Sequence, residues 1–128
     1  MVDNKDKYFK NNLDPACVIE KLKEKISIVE PFVNKVEIVE SKTNSFSFRK
    51  KKIFLCLRDE KCEYYSYNTL VYVLLHEVVH CKYENIHDHA DEFYVKFKEL
   101  LDKAIRHKIY NPNIKISKYY CNKYCKKV

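Results

Sequence analysis

Apolar residues recur at helical spacing in the segment that follows residue 14. Asp14 and Pro15 have the properties of an N-cap and a first helical residue, and they open the run "ACVIEKLKEKISIVEPF". The apolar positions of this run lie three or four residues apart and therefore form one face of a helix: Val18, Ile19, Leu22, Ile26 and Val29. The pattern predicts an amphipathic helix that ends at Pro31.

Alternating apolar and polar residues then indicate short strands. "NKVEIVES" alternates apolar side chains with acids, and "NSFSFRKKKIFLCLRD" has the pattern of two further strands joined by a basic turn. We therefore expect a small sheet of about three strands, followed by a loop at "DEKCEYYSY".

The run "TLVYVLLHEVVHCKY" is apolar on nearly all sides, and its four valines favour a strand on propensity alone. The run is longer than an ordinary strand, however, and its polar residues 76, 77 and 80 cluster only if the chain is helical. The pattern therefore predicts a buried helix, with Asn68 as its N-cap.

A further helix is predicted to begin near Asp88, with lysines and glutamates opposite a single apolar face. That face contains Phe93, Phe97, Leu100, Leu101 and Ala104. From Tyr110 onward the chain is tyrosine-rich, basic and predicted to be irregular. The expected fold class is α+β, with a polar arm at residues 1–13 and a single domain at residues 14–128.

Charge and cysteine content narrow the choice of partners and compartment. The formal net charge is +7, and 22 of the 25 basic residues are lysine, which favours contact with a polyanion such as single-stranded DNA or simply a solvated surface. The N-terminal stretch has no apolar signal segment, and the longest apolar run is far shorter than the ~20 residues that span a bilayer. We therefore expect a soluble intracellular protein that does not contact membranes, with all six cysteines reduced.

Four of the five histidines lie between residues 74 and 93, and two of them flank a glutamate in the motif H-E-x-x-H. On a helix, His76 and His80 project two imidazoles from successive turns, as two ligands of a tetrahedral zinc ion require. Glu77 lies about 100° round the helix and can reach a water molecule at the metal without binding the metal itself. Ordinary buried histidines are the alternative, but three polar groups on an apolar helix are costly unless partnered. The pattern predicts one catalytic zinc ion.

A catalytic zinc ion needs a third protein ligand, and Glu84, His87 and His89 are the candidates downstream. If Asp88 caps the next helix, His89 stands in the first turn on the side of Phe93 and faces the core. We therefore predict His76, His80 and His89 as metal ligands and Glu77 as the catalytic residue, with His87 as the alternative third ligand.

At these residues a family resemblance emerges. "HEVVHCKYENIHDHADEF", followed by "YVKFKELLDKAI", resembles the WLM and SprT/Spartan group of zincin metalloproteases, whose motif is H-E-x-x-H, a spacer, a third histidine and an aromatic residue four positions later. The resemblance makes Phe93 that aromatic residue. Residues 45 to 121 look like the WLM-like proteins of large DNA viruses, which implies a zincin-like fold and, for a viral protein, the host cytoplasm or nucleus.

The predicted function is zinc-dependent hydrolysis of peptide bonds, in which Glu77 accepts a proton from the attacking water and returns it to the leaving amine. The resemblance implies that the substrate is a protein crosslinked or bound to DNA, as in DNA-protein crosslink repair. Two alternatives remain open: a zinc-stabilised module that binds DNA or protein without cleavage, and a general peptidase without DNA dependence. Tyr110 or Tyr120 is a candidate oxyanion donor if the tail folds back, although a packing role is favoured for both.

Overall fold

The computed structural model describes residues 8–42, 46–48, 52–83, 90–117 and 120, with the backbone alone at 46–48. The elements in chain order are α1 (Pro15–Ser27), a 3₁₀ helix (Pro31–Lys35), β1 (Glu37–Ser41), β2 (Phe46–Phe48), β3 (Lys52–Cys56), α2 (Tyr67–Lys82) and α3 (Asp91–Arg106). These helices and this small sheet confirm the predicted α+β class.

The sheet has the strand order β1-β3-β2. β3 pairs with β1 in parallel, with Ile38 opposite Ile53, and with β2 in the antiparallel sense. Ile53 and Leu55 of this central strand are fully buried, as expected for a strand with a neighbour on each side and a helix packed against the sheet.

Helix α1 begins as the sequence predicts, because Asp14 accepts a hydrogen bond from the backbone N–H of Ala16 at 2.9 Å and Pro15 follows it. It ends at Ser27, however, and Pro31 opens the 3₁₀ helix. Glu30 precedes that proline, and a residue before proline is sterically disfavoured in the α conformation. The helix therefore stops before Glu30, which lies at φ −145° and ψ 86°.

Helix α2 is the centre of the molecule. It contacts α1, α3, the 3₁₀ helix, β2 and β3, and ten of its residues are buried, as expected for a helix that is apolar on nearly all sides. Its N-cap is Ser66, whose hydroxyl accepts from the N–H of Thr69 at 3.2 Å. The prediction of Asn68 as N-cap is wrong, because the helix begins at Tyr67, two residues before the start that an Asn68 cap would give.

Asn68 instead ties α2 to residues 110–117, which we call the return segment. Its amide nitrogen donates to the carbonyls of Asn111 and Ile114, each at 2.9 Å, and its amide oxygen accepts from the N–H of Asn111 at 2.9 Å. The hydroxyl oxygen of Thr69 accepts from the N–H of Ser117 at 3.1 Å. The return segment is irregular, as predicted, but it is held against the first turn of α2.

Helix α3 begins at Asp91, three residues later than the predicted start near Asp88. Ala90 is its N-cap and has extended backbone geometry, with φ −70° and ψ 164°. Asp91 and Glu92 occupy the first turn, where acidic side chains interact favourably with the helix dipole. The predicted apolar face is buried at Phe93, Phe97, Leu100 and Ala104 and partly buried at Leu101.

Residues 8–13 contact the loop that precedes α2. The side-chain oxygen of Asn11 accepts from the N–H of Tyr64 at 3.2 Å, and the Tyr64 hydroxyl donates to the carbonyl of Leu13 at 2.6 Å. Burial of the phenol raises the pKa of Tyr64 above its ordinary value.

Two cysteines depart from the prediction of six reduced thiols. Cys56 and Cys62 are disulfide-bonded, whereas Cys17 and Cys81 form no disulfide bond. Spacing along the chain does not reveal which sulfur atoms approach each other in space, which is what disulfide geometry requires. Cys121 and Cys125 lie outside the described residues. Within the described residues, none of the helices has the length and apolar character needed to cross a membrane.

Candidate metal centre

Helix α2 carries a narrow strip of partly exposed residues on an otherwise buried surface. We call this the accessible strip; its members are Tyr72, Val73, His76 and His80. Tyr72 and Val73 lie four and three residues before His76, and His80 lies four residues after it, so all three are its neighbours along one side of the helix. Both histidines of the H-E-x-x-H motif thus reach the surface of the most buried helix in the described part of the chain.

The two imidazole rings lie close together, with centroids 4.7 Å apart and ring planes at 75°. Phe93 of α3 contacts both: its ring stacks on His80 at 4.2 Å and 25°, and meets His76 edge-on at 5.0 Å and 71°. Phe97 adds a second edge-on contact with His76 at 5.2 Å. The apolar face of α3 therefore forms an aromatic wall against the two histidines.

Glu77 is the buried member of the motif. It is 7% exposed, and its Oε1 lies 3.5 Å from Nδ1 of His76. A carboxylate removed from water is costly unless a polar or charged group faces it. The His76 imidazole is such a group, so Glu77 is held beside the histidine pair.

The donor set of this site fits a zinc ion. Imidazole nitrogen is a preferred zinc ligand, and two histidines four residues apart on a helix supply two neighbouring ligands. The close approach of the two rings and the 25% exposure of the His76 side chain leave the pair accessible from solvent. Glu77 adds negative charge nearby, which favours a cation.

The predicted third ligand, His89, and its alternatives His87 and Glu84 lie outside the described residues. The premise used to favour His89, a helix capped by Asp88, is wrong, because α3 begins at Asp91 with Ala90 as its N-cap. The choice of His89 itself stays a prediction. Among the described residues, no three or more His, Cys, Asp or Glu side chains are grouped as metal ligands would be. The fifth histidine, His107, is the exposed C-cap of α3.

The last residue of α2 is anchored by an ion pair that sequence reasoning missed. Lys82 donates to Oε1 of Glu30 at 2.6 Å, and Glu30 is only 9% exposed. This hydrogen bond raises the pKa of Lys82 above its ordinary value. The two residues are 52 positions apart in the chain, so periodicity carries no signal for the pair.

The two candidate oxyanion tyrosines have packing contacts. Tyr110 is 8% exposed, its ring lies 5.8 Å from that of Tyr72, and burial raises the pKa of its phenol. Tyr120 donates its hydroxyl to the carbonyl of Cys56 at 2.6 Å and packs against Tyr65. These contacts match the favoured packing role.

A cleft of about 760 Å³ lies at the other end of α2. Its lining comes from residue 8, the loop at 59–66, Thr69 and the return segment, and includes none of the histidines. Ser66 and Thr69 are hydrogen-bonded to each other and to backbone groups within it. Residue chemistry rather than cavity size therefore places the candidate site at the accessible strip.

Comparisons with known proteins identify one matching family and two viral relatives. The family model of the WLM domain matches residues 47–118. The chain is 41% identical over 80 residues to uncharacterized protein 136R of Invertebrate iridescent virus 6, covering 60% of this chain and 44% of the relative. It is 40% identical over 90 residues to uncharacterized protein 042R of Invertebrate iridescent virus 3, covering 70% of this chain and 55% of the relative.

The matched segments span about half the length of these viral relatives. No solved structure matches the chain significantly. The family match covers more than half of the chain and contains α2 and α3. The resemblance to WLM-like viral proteins is thereby confirmed.

Proposed function

This chain belongs to the WLM domain family, and from that membership we propose that it is a zinc-dependent peptidase that hydrolyses peptide bonds in proteins. The observation that carries the proposal is the arrangement on α2: two neighbouring imidazoles on the accessible strip, with a buried carboxylate beside them. Two histidines that only pack against their neighbours do not require a buried carboxylate beside them.

In this proposal His76 and His80 hold the zinc ion, and His89 is the third ligand. Phe93 contacts both imidazole rings and lies four residues after His89. The length of chain between them limits the distance from the Cα atom of His89 to the Cα atom of Phe93 to about 14 Å. The short connection to Phe93 therefore permits His89 to approach the pair, which supports its choice as third ligand in this proposal.

When bound, zinc supplies the Lewis acidity that activates water and polarises the scissile carbonyl. Glu77 is the general base: its carboxylate accepts the proton of the attacking water and returns it to the nitrogen of the departing amine. Its burial suits this task, because a carboxylate surrounded by protein keeps a fixed direction and is screened little by solvent.

The substrate we propose is a protein bound or crosslinked to DNA. The support is electrostatic: the chain has a net charge of +7, and 22 of its 25 basic residues are lysine. Lysine contacts phosphates without reading bases. A general peptidase without DNA dependence is the competing proposal, and salt dependence separates the two.

The variant that tests the catalytic proposal is Glu77→Gln, which keeps the shape of the side chain and removes its capacity to accept a proton. Zinc content and thermal stability are expected to survive, while cleavage of an unfolded protein substrate falls by roughly 10² to 10⁴-fold or more. Glu24→Gln, on the exposed face of α1, is the matched control and should cleave like the wild type.

Two outcomes would overturn this assignment. Full activity in Glu77→Gln would require another base. A wild-type protein that holds zinc and cleaves neither free nor DNA-bound protein would make the chain a zinc-stabilised binding module.

The DNA proposal is tested by binding to a fluorescent single-stranded oligonucleotide at several salt concentrations. Neutralisation of Z phosphates releases counterions, so the logarithm of affinity should fall linearly with the logarithm of salt, with slope about −0.7Z. Cleavage of a DNA-bound protein should be faster than cleavage of the same protein alone. Undetectable binding at low salt would instead favour the general peptidase.

A further inference from the structure

Phe93 has an unusual position relative to the histidine pair. Its single ring is nearly parallel to the His80 imidazole, at 25°, and nearly perpendicular to that of His76, at 71°. The two imidazoles themselves lie at 75° to each other. One benzene ring therefore contacts both imidazoles, stacked on one and edge-on to the other, in keeping with the 75° between the two imidazole planes.

Phe93 is itself firmly held. It is 1% exposed, and its ring meets those of Tyr94 at 5.6 Å and Phe97 at 6.1 Å in edge-on geometry. Phe97 in turn contacts His76 and Tyr72. Because Phe93 is 1% exposed, it presents almost no surface to a substrate, and we consider its effect on the two histidines that it contacts.

The plane of an imidazole decides where its nitrogens point, since both nitrogens and their lone pairs lie in that plane. A neighbour that stacks on one face restricts rotation of the ring out of its plane, and an edge-on neighbour restricts the second ring in the same way. Packing that orients ligands before they bind lowers the cost of ordering them, and loss of such support usually weakens a metal site.

We propose that Phe93 is a positioning residue that sets the ring planes of His76 and His80 in the metal-free protein, and so prepares both imidazoles for zinc. The inference rests on the proposed function for its zinc-binding consequence. Its geometric part concerns the metal-free chain and stands independently.

The test compares four proteins: wild type, Phe93→Leu, Phe93→Tyr and Leu100→Ala. Phe93→Leu keeps an apolar side chain but removes the ring, and Phe93→Tyr keeps a ring. Leu100→Ala is the control: it removes packing from the same buried face of α3, at a residue that has no aromatic ring to contact the histidines. Circular dichroism establishes that each is folded. Zinc affinity is measured by competition with a chromophoric chelator, and the imidazole protons are followed by NMR in the metal-free proteins.

Phe93→Leu is expected to bind zinc about 10- to 100-fold more weakly than the wild type, while Phe93→Tyr and Leu100→Ala stay within about threefold. A stacked benzene ring shields the protons beneath it, so the His80 signals should lie upfield in metal-free wild type and in Leu100→Ala. In Phe93→Leu they should return toward ordinary values.

Unchanged zinc affinity in folded Phe93→Leu would overturn the proposal, and so would ordinary His80 shifts in the wild type. If the wild type binds no zinc, the proposed function fails, and the NMR shifts alone decide the positioning role. If Phe93→Leu does not fold, the wild-type His80 shifts decide it in the same way.

Discussion

Replacement of Asn68 tests how strongly the return segment is attached to α2. Asn68 is 4% exposed, and its amide makes three hydrogen bonds at 2.9 Å, two to carbonyls and one from a backbone N–H. Asn68→Ala removes all three hydrogen bonds. The backbone groups of Asn111 and Ile114 then lose the Asn68 amide as their partner in a partly buried position.

The expected magnitude follows from those contacts. Each lost hydrogen bond contributes about 1 kcal/mol net, so three contribute about 3 kcal/mol. Alanine recovers up to about 0.7 kcal/mol through its higher helix propensity, which leaves a loss of about 2 to 3 kcal/mol. This is a large part of the ~5 to 15 kcal/mol that stabilises a typical domain. Asn68→Asp keeps the volume but points a carboxylate at two carbonyls, so its loss should be at least as large.

Urea unfolding followed by circular dichroism measures the effect. With a slope of about 1 to 3 kcal/mol per molar urea, the midpoint should fall by about 0.7 to 3 M in Asn68→Ala. Asn34→Ala, at an exposed position of the 3₁₀ helix, is the control and should stay within about 0.5 kcal/mol of the wild type. If both Asn68 variants matched that control, the hydrogen bonds to the return segment would have no stabilising role.

Three further predictions concern ligands, pH and thiols. His89→Ala should weaken zinc binding far more than His87→Ala in a chelator competition, and the reverse order would move the third ligand to His87. Burial raises the pKa of Tyr110 above its ordinary 10.0, so the folded protein keeps the phenol proton to higher pH than the unfolded chain does. Urea unfolding should therefore show that this contribution to the free energy of unfolding is complete below about pH 10 and is lost as the pH rises above it. The loss should be smaller in Tyr110→Phe. Iodoacetamide should label partly exposed Cys17 in the native protein well before buried Cys81, as mass spectrometry of the peptides would show, and equal rates would contradict the burial of Cys81.

Local patterns predicted the elements of this fold that have a local cause. Asp14 and Pro15 begin α1 because an N-cap and a first-turn proline act through neighbouring backbone atoms. The helical clustering of residues 76, 77 and 80 outweighed the strand propensity of four valines, and α2 is a helix. The choice of His76, Glu77 and His80 as one group followed from the same spacing.

The remaining features depend on contacts between distant parts of the chain. Asn68 has the side chain of an N-cap, but Ser66 takes that role and the Asn68 amide serves a segment 43 residues away. The start of α3 was placed too early, because Asp88 is a good cap by residue type while the helix begins after extended Ala90. Neither the Lys82–Glu30 pair nor the pairing of cysteines leaves a periodic signal.

The anchoring of α2 at both ends also bears on the order in which its site forms. The return segment secures the first turn and Glu30 secures the last, while the residues between are buried on most sides. Such a helix has no free end from which to fray, so its amide hydrogens should exchange with solvent only when the whole domain opens. The helix backbone that carries the imidazoles is consequently ordered before any ligand arrives, and its ordering entropy, about 1 to 2 kcal/mol per residue, belongs to folding and not to binding. The site exists only in chains whose α2 is folded, so a destabilising substitution far from the histidines reduces the population of competent sites by as much as it reduces the population of folded chains.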